Sequence, residues 1–262
     1  MLAEIVANAP IFLLIAVRAL ALIETAPLLS SDSVPQTAKV ALAGFAAFAA
    51  FPSAPVEAWR VPDYSLSFVF LVMGEALIGI IIGFYLTMVF SAFSSAGQFF
   101  ALQMGFGASE TYDPLAQMEN PVMGQYLNLI AMLTFLTVGG FQKLFLGGFF
   151  RSLQSISAIS LISSRDDFLS LLIGGLSSLF VDALVISMPI LGTLFLVSVS
   201  MGLLSKAAPQ INILTEGFPI SITVAFSLIL ATMPFLVGAF ARVIDLGFTR
   251  LADFLALAGT GI

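Results

Sequence analysis

Long runs of apolar residues, separated by short polar stretches, dominate the chain. Four stretches carry no charged side chain at all: residues 5–17, 40–56, 120–142 and 217–241. Residues 65–107 contain only Glu75, and residues 168–205 contain only Asp182. A membrane-spanning helix needs about 20 apolar residues. The pattern therefore predicts an all-α, integral membrane-type protein with about six apolar helical segments.

Two of these stretches are too long for one span each. As helices, residues 65–107 would extend about 65 Å and residues 168–205 about 57 Å, whereas a hydrocarbon core is about 30 Å thick. Each is expected to be either a bent hairpin or a helix that runs well beyond the bilayer. The small residues at 91–97 would be the break in the first stretch, and Met188-Pro189 with Gly192 the break in the second.

Composition narrows the class of function. Hydrophobic residues make up 60% of the chain and charged residues 9%, against about 25% charged in an average soluble domain. Disorder, nucleic-acid binding and an ordinary soluble globule are therefore excluded. The chain has no His and no Cys, so thiolate metal sites, disulfides and Ser-His-Asp triads are excluded too. We therefore expect that the protein is not an enzyme and has neither a cofactor nor a metal site.

The distribution of basic residues gives a weak indication of how the chain is oriented in the membrane. With six spans and an inner N-terminus, inner segments would hold six basic residues and outer segments two. Basic residues near span ends are retained on the inner side, and Arg242 and Arg250 follow the last apolar run. The C-terminal end is therefore predicted to face the cytoplasm. The N-terminus lacks a basic region before its apolar run, so we expect no cleaved signal peptide.

Two polar segments interrupt the apolar runs. Residues 107–121 are acidic, have no Lys or Arg, and follow Met104. They form either a solvated connection or a loop that lines or plugs a pore. Residues 206–219 contain two prolines and Gly217 but stay partly apolar. Irregular backbone at membrane depth needs protein or water around it, so this segment is predicted to be the structured tip of a helical hairpin.

Lone charges in apolar helices allow two interpretations. Burying a carboxylate in a membrane costs about 2.5–3.5 kcal/mol, and Glu75 lies beside a GxxxG face formed by Gly79 and Gly83. This face favours close helix packing, while a proton relay or pore-lining charge is the alternative. Asp182 has the same ambiguity. Arg18 and Glu24, six residues apart on one helix, are expected to bind other segments or subunits.

Three stretches, in this order, resemble the family of flagellar biosynthetic proteins FliR. The first is residues 17–35, from Val17-Arg18 through Pro27 to Pro35. The second is Leu102-Gln103-Met104-Gly105, followed by Asp113-Pro114. The third is residues 202–213, with Lys206-Ala-Ala-Pro209-Gln210, followed by Gly217-Phe218-Pro219.

The resemblance implies a non-enzymatic core subunit of the type III protein export gate. In that family one FliR joins several FliP and FliQ chains in a helical ring, FlhB associates around the entrance, and unfolded flagellar proteins are exported. It implies one domain over 1–262, with a FliP-like part at about 1–165 and a FliQ-like part at 166–262. The location implied is the bacterial inner membrane at the flagellar basal body.

The resemblance also assigns residues to two roles. A plug in the closed channel corresponds to residues 105–121, with these candidate residues: Met104, Gly105, Phe106, Glu110, Tyr112, Asp113, Pro114 and Met118. Together with the lone charges and glycines above, the motifs give these candidates for assembly: Arg18, Pro27, Pro35, Glu75, Gly79, Gly83, Asp182, Lys206, Pro209, Gln210, Gly217, Phe218 and Pro219.

Other functions stay open on the sequence alone. A small multi-pass secondary transporter would use broken helices and membrane carboxylates, but no convincing inverted repeat is visible. The homologous injectisome export proteins share the Ala-Pro-Gln element. An intramembrane enzyme would need an aspartyl pair, and the acidic residues lack the paired spacing.

Overall fold

The computed structural model describes residues 2–54, 65–105, 122–158, 165–208 and 213–260. In these ranges the regular structure is entirely helical. The helices are α1 (Leu2–Ala7), α2 (Ala9–Thr25), α3 (Gln36–Ala50, followed by a 3-10 turn at Phe51–Ser53), α4 (Ser65–Met104), α5 (Val122–Thr137), α6 (Gly140–Ser155, π-helical over Lys143–Phe150), α7 (Arg165–Ala207) and α8 (Ile213–Thr260). The predicted all-α, membrane-type class is confirmed.

Three helices among the described residues are long and apolar enough to cross a membrane, or four spans result if α5 and α6 count together as one broken span. Helices α4, α7 and α8 contain 40, 43 and 48 residues. At about 1.5 Å per residue they extend about 60, 65 and 72 Å. Each is about twice as long as a hydrocarbon core is thick.

Of the two alternatives for the long stretches, the continuous helix is the one found. The hairpins and their predicted breaks are wrong, because α4 and α7 each continue as one helix through them. The small residues of α4 form a packing face. A Cβ added to Gly97 would lie 2.5 Å from the carbonyl oxygen of Met123, and one added to Gly124 would lie 2.8 Å from the carbonyl oxygen of Ser94. Small residues thus bring α4 and α5 into backbone contact rather than bending α4.

Pro189 also fails to break its helix, since α7 continues through it. Proline removes the N–H that would bond the carbonyl group four residues earlier, that of Val185. Membrane helices tolerate such a loss. A lone proline in an apolar run is therefore a weak indicator of a helix end.

The segment 206–219 is more helical than predicted. Helix α7 continues to Ala207 and α8 begins at Ile213, so Gly217 and Pro219 lie inside a helix and not in an irregular tip. Gly217 is buried and Pro219 is exposed. Pro209 and Gln210 lie outside the described residues.

The chain divides into two compact units. Unit 1 comprises Met1–Val89, Leu136–Leu176 and Ile244–Ile262; unit 2 comprises Phe90–Phe135 and Ser177–Val243. The long helices α4, α7 and α8 are therefore each divided, with one part in unit 1 and the other part in unit 2. The division near residue 165 into FliP-like and FliQ-like parts follows chain order instead, and it stays a prediction.

Each unit has its own apolar core. In unit 1 the fully buried side chains include Ile15, Leu22, Ile78 and Ile82. In unit 2 aromatic rings dominate: Phe93 packs on Phe240 with ring centroids 4.5 Å apart, and Phe90 packs edge-on against Phe135 at 5.5 Å. Paired rings contribute about 0.5–1.5 kcal/mol beyond the area that they bury.

We expect Gly97→Ala to destabilise the chain and Gly192→Ala to leave it equal or more stable. Alanine usually stabilises a helix interior by about 0.5–1 kcal/mol relative to glycine, and a Cβ at Gly192 meets nothing within 4 Å. At Gly97 the methyl group would meet backbone, which costs about 1–3 kcal/mol. Melting temperatures of the two variants in detergent check this, and an equal or higher value for Gly97→Ala would contradict it.

Candidate functional site

A buried ion pair lies at the centre of unit 1. Arg18 of α2 is 0% exposed and Glu75 of α4 is 2% exposed. Arg18 Nε donates to Glu75 Oε2 at 2.6 Å, and Arg18 Nη2 pairs with the same oxygen. Arg18 also donates to Ser152 Oγ at 3.2 Å and to the Ile156 carbonyl oxygen at 2.8 Å. Glu75 Oε1 accepts from the Ala158 backbone N–H at 3.0 Å. We call these five residues the Arg18–Glu75 centre.

The glycines beside Glu75 bring its helix close to α2. A Cβ added to Gly79 would lie 2.5 Å from the Arg18 carbonyl oxygen, and one added to Gly83 would overlap the Thr25 side chain. The predicted GxxxG face thus packs on a helix of the same chain, and its role in binding other subunits stays a prediction. Removing one partner of a buried pair leaves an uncompensated charge, which costs about 3–5 kcal/mol.

A second polar cluster fixes the turn between α2 and α3. Lys39 Nζ donates to Glu24 Oε2 at 3.1 Å and to the Ser30 carbonyl oxygen at 3.3 Å. Gln36 donates to the other oxygen of Glu24. Arg18 and Glu24 thus bind different segments of this chain, and binding to other subunits is untested.

The turn itself contains a strained residue. Leu28 has φ +68°, a conformation that costs about 1–2 kcal/mol for a residue with a Cβ. The neighbouring Pro27 is buried, and Pro35 directly precedes α3. On the α2 side, the Thr87 hydroxyl donates to the Thr25 carbonyl oxygen at 2.7 Å. The polar contacts on both sides hold the strained turn in place.

Two of the sequence motifs meet in unit 2. Helix α4 ends at Met104, which is fully buried, and Gly105 follows with φ +89°. A Cβ added to Gly105 would overlap the ring of Phe218. Only glycine fits this position, because it accepts the left-handed φ and leaves room for the ring. The Leu102–Gly105 motif therefore contacts the Gly217–Pro219 motif.

The other predicted site residues are not brought together. Six of the plug candidates lie outside the described residues: Phe106, Glu110, Tyr112, Asp113, Pro114 and Met118. Asp182 is half-buried on α7, and Lys206 is exposed near the end of that helix. Within the described part of the chain, no three acidic side chains are arranged to hold a metal ion.

Some contacts carry no clear signal in the sequence. Nothing in the sequence identifies Arg18 and Glu75 as partners, except that each is a charge within an apolar helix. The Tyr85 hydroxyl donates to the Gly247 carbonyl oxygen at 3.2 Å, and Lys143 of α6 pairs with Asp245 of α8. These polar contacts also join helices, so fastening helices is the common role of the polar side chains in unit 1.

The outer surfaces of the long helices are strongly apolar. On α4, large side chains that are 42–70% exposed recur at alternating intervals of four and three residues; they are Leu66, Phe70, Met73, Leu77, Ile80 and Phe84. We call this set the α4 stripe. Less than a third of the most apolar window of each long helix is buried within the chain. The surface is thus suited to lipid or to other apolar helices.

These features define a class: a helical membrane protein whose polar groups fasten its own helices and whose long helices present apolar surfaces. Comparison with known proteins gives the family. The sequence model of the family described as "Bacterial export proteins, family 1" matches residues 9–247. The chain belongs to this family.

Individual relatives agree along almost the whole chain. The flagellar biosynthetic protein FliR of Escherichia coli (strain K12) is 36% identical over 241 residues, which cover 91% of this chain and 90% of the relative. FliR of Bacillus subtilis (strain 168) is 29% identical over 254 residues, covering 95% and 96%. The surface presentation of antigens protein SpaR of Shigella flexneri is 28% identical over 156 residues, covering 59% and 57%. The resemblance to FliR is confirmed.

We expect the effect of Gly105→Ala to depend on Phe218. The methyl group overlaps the ring and must also adopt a left-handed φ, so Gly105→Ala should destabilise the chain by about 2–4 kcal/mol. With Phe218→Ala present, only the backbone cost of about 1–2 kcal/mol should remain. A double-mutant cycle on unfolding in detergent measures the difference. Equal effects in both backgrounds would show that the two residues are not coupled.

Proposed function

We propose that this protein is a non-enzymatic core subunit of the flagellar type III protein export gate. With FliP and FliQ chains it forms the channel through which flagellar proteins are exported, in the inner membrane at the flagellar basal body, with FlhB at the entrance. One observation carries the proposal: 36% identity to a FliR protein over nine tenths of both chains.

The lengths of the apolar surfaces support assembly with other chains. On α7, exposed large apolar side chains extend from Leu169 to Leu204, about 53 Å along the helix, and those on α8 extend from Ile220 to Leu257, about 56 Å. On α4 they extend from Leu66 to Phe84, about 27 Å, and recur at Leu102. A hydrocarbon core about 30 Å thick covers little more than half of the α7 and α8 surfaces.

Tilting does not remove the excess. A straight helix would need a tilt of about 55° to place about 53 Å of its length, as on α7, within about 30 Å, whereas membrane helices tilt by about 0–40°. Apolar surface left outside the lipid favours contact with protein. Neighbouring subunits are the natural cover, as a gate built from several chains requires.

The α4 stripe supports a helix as one of these neighbours. Alternating intervals of four and three residues are the repeat of left-handed helix packing. Two helices that pack with this repeat cross at about +20°. A helix of a FliP or FliQ chain laid along Leu66 to Phe84 would cover the α4 stripe.

We assign the plug to residues 105–121 on the basis of the resemblance and of loop chemistry. The segment is acidic and has no basic residue that could hold it in a local ion pair. Its N-terminal side is fixed, because Met104 is buried and Gly105 packs on Phe218. A segment that is fixed at its N-terminal end and polar along its length could fill a pore and be displaced into water.

The alternatives have less support. SpaR matches only 59% of this chain, whereas FliR of Escherichia coli matches 91%, which favours the flagellar system over an injectisome. A secondary transporter would use interrupted helices near the membrane midplane. A transporter of this kind would pair two corresponding interrupted helices. Helices α4 and α7 are continuous through both predicted breaks, and α5 with α6 is the one broken span among the described residues, so the transporter hypothesis has less support.

We expect the chain to enter a large complex only when FliP and FliQ are present. On a blue-native gel, the chain expressed with both partners should migrate as one high-mass species. Interrupting the α4 stripe with Phe70→Ala and Met73→Ala together should lower the yield of that species severalfold, because two apolar contacts are lost. Val6→Ala, at an exposed residue of α1, is the matched control. A stable homo-oligomer without partners would contradict the proposed function.

We expect deletion of Ala108 to Gln117 to make the assembled gate leaky. Without the plug, cells that express the deletion with FliP and FliQ should take up dye faster and tolerate less salt than cells with the full chain. The control is the same deletion expressed without partners, which should leave the membrane tight. A complex that assembles normally and does not leak would make residues 105–121 a plain connection.

A further inference from the structure

The chain just after α6 is held against α4 without any space between them. A Cβ added to Gly74 would lie 2.6 Å from Ala158 Cβ and 3.3 Å from Ala158 Cα. Nothing larger than the hydrogen of glycine fits between the two backbones at this point. Residues 156–158 are no longer helical, since Ile156 has an extended backbone at φ −137° and ψ 131°. The Ile156 N–H donates to the Ser152 carbonyl oxygen at 3.0 Å, and the further contacts of the segment are with side chains.

Both charges of the Arg18–Glu75 centre contact this short segment. Arg18 donates to the Ile156 carbonyl oxygen, and Glu75 accepts from the Ala158 N–H. The segment offers an acceptor where the arginine lies and a donor where the glutamate lies. The backbone of residues 156–158 therefore matches one orientation of the ion pair and not the reverse.

Exchanging the two charges would place an acceptor opposite an acceptor and a donor opposite a donor. A glutamate at position 18 would face the Ile156 carbonyl oxygen, and an arginine at position 75 would face the Ala158 N–H. Both backbone groups would lose their partners in a buried place, which is costly even when the attraction between the charges is kept. An ion pair that acted only through its charges would tolerate the exchange.

We propose that Arg18, Glu75 and Gly74 form a clamp that positions residues 156–158, and that the backbone of this segment fixes the orientation of the pair. The clamp sets the point at which the chain leaves α6. Only six residues, 159–164, separate Ala158 from the first residue of α7. The clamp thus lies close in sequence to the start of α7, one of the long apolar helices. The proposal does not depend on the identity of the partner chains.

A cysteine reporter tests the clamp directly, because the chain has no cysteine of its own. The reporter is Ser157→Cys in the full-length chain, and the readout is its rate of reaction with N-ethylmaleimide in isolated membranes. The variants are Arg18→Glu, Glu75→Arg, the exchanged pair with both changes, and Gly74→Ala. Gln154→Cys, at an exposed residue of α6, reports general accessibility, and Gly44→Ala, where a Cβ meets nothing within 4 Å, is the matched glycine control.

We expect labelling at position 157 to rise at least about tenfold in each single variant and equally in the exchanged pair, since a tenfold change corresponds to about one lost buried hydrogen bond. Labelling at position 154 should not change. Gly74→Ala, which alters no charge, should raise labelling at 157, whereas Gly44→Ala should not. An exchanged pair that labels at the original rate would show that the charges act alone. Gly74→Ala at the original rate would show that the segment is not clamped.

Discussion

The mismatch between helix length and bilayer thickness governs this structure. Helices α7 and α8 expose large apolar side chains over about 53 Å and about 56 Å, and a bilayer covers about 30 Å. Inside such a protein, apolar burial distinguishes little between the interior and the lipid, so packing and polar contacts must specify the fold. The two further features of the structure, close glycine contacts and buried polar clusters, answer this need.

Unit 1 fastens its helices with buried charges as well as close glycine contacts, and unit 2 with small residues and aromatic rings. Arg18 and Glu75 join α2, α4 and the end of α6, while Lys39 and Glu24 close the turn between α2 and α3. In unit 2, Gly97 and Gly124 bring α4 and α5 together. Losing one partner of a buried ion pair is costly, whereas replacing both by apolar side chains is often neutral. Such an ion pair therefore disfavours arrangements that separate its two charges.

The sequence predicted the class of fold and the family well, because long apolar runs and ordered motifs are properties of the chain alone. It failed at the predicted breaks, since Ser94 and Gly97 can either bend a helix or pack it, and only the presence of α5 decides. Gly217 and Pro219 indicate an irregular tip, because glycine permits a tight turn and proline fixes φ, but α8 begins at Ile213 and includes both residues. The pairing of Arg18 with Glu75 joins residues 57 positions apart, so it is visible only once the packing of α2 against α4 is known. The six plug candidates beyond Gly105 stay a prediction.

Site-specific photo-crosslinking tests most directly whether other chains cover the apolar surfaces. A photoreactive residue would replace one exposed side chain near each end of the long helices: Leu66 and Leu102, Leu169 and Leu204, and Ile220 and Leu257. In cells that contain the other gate subunits, at least one end of each helix should give an adduct with another protein chain. If all six positions gave lipid adducts alone, the bilayer would cover these helices, and the account of this chain as a subunit enclosed by others would be wrong.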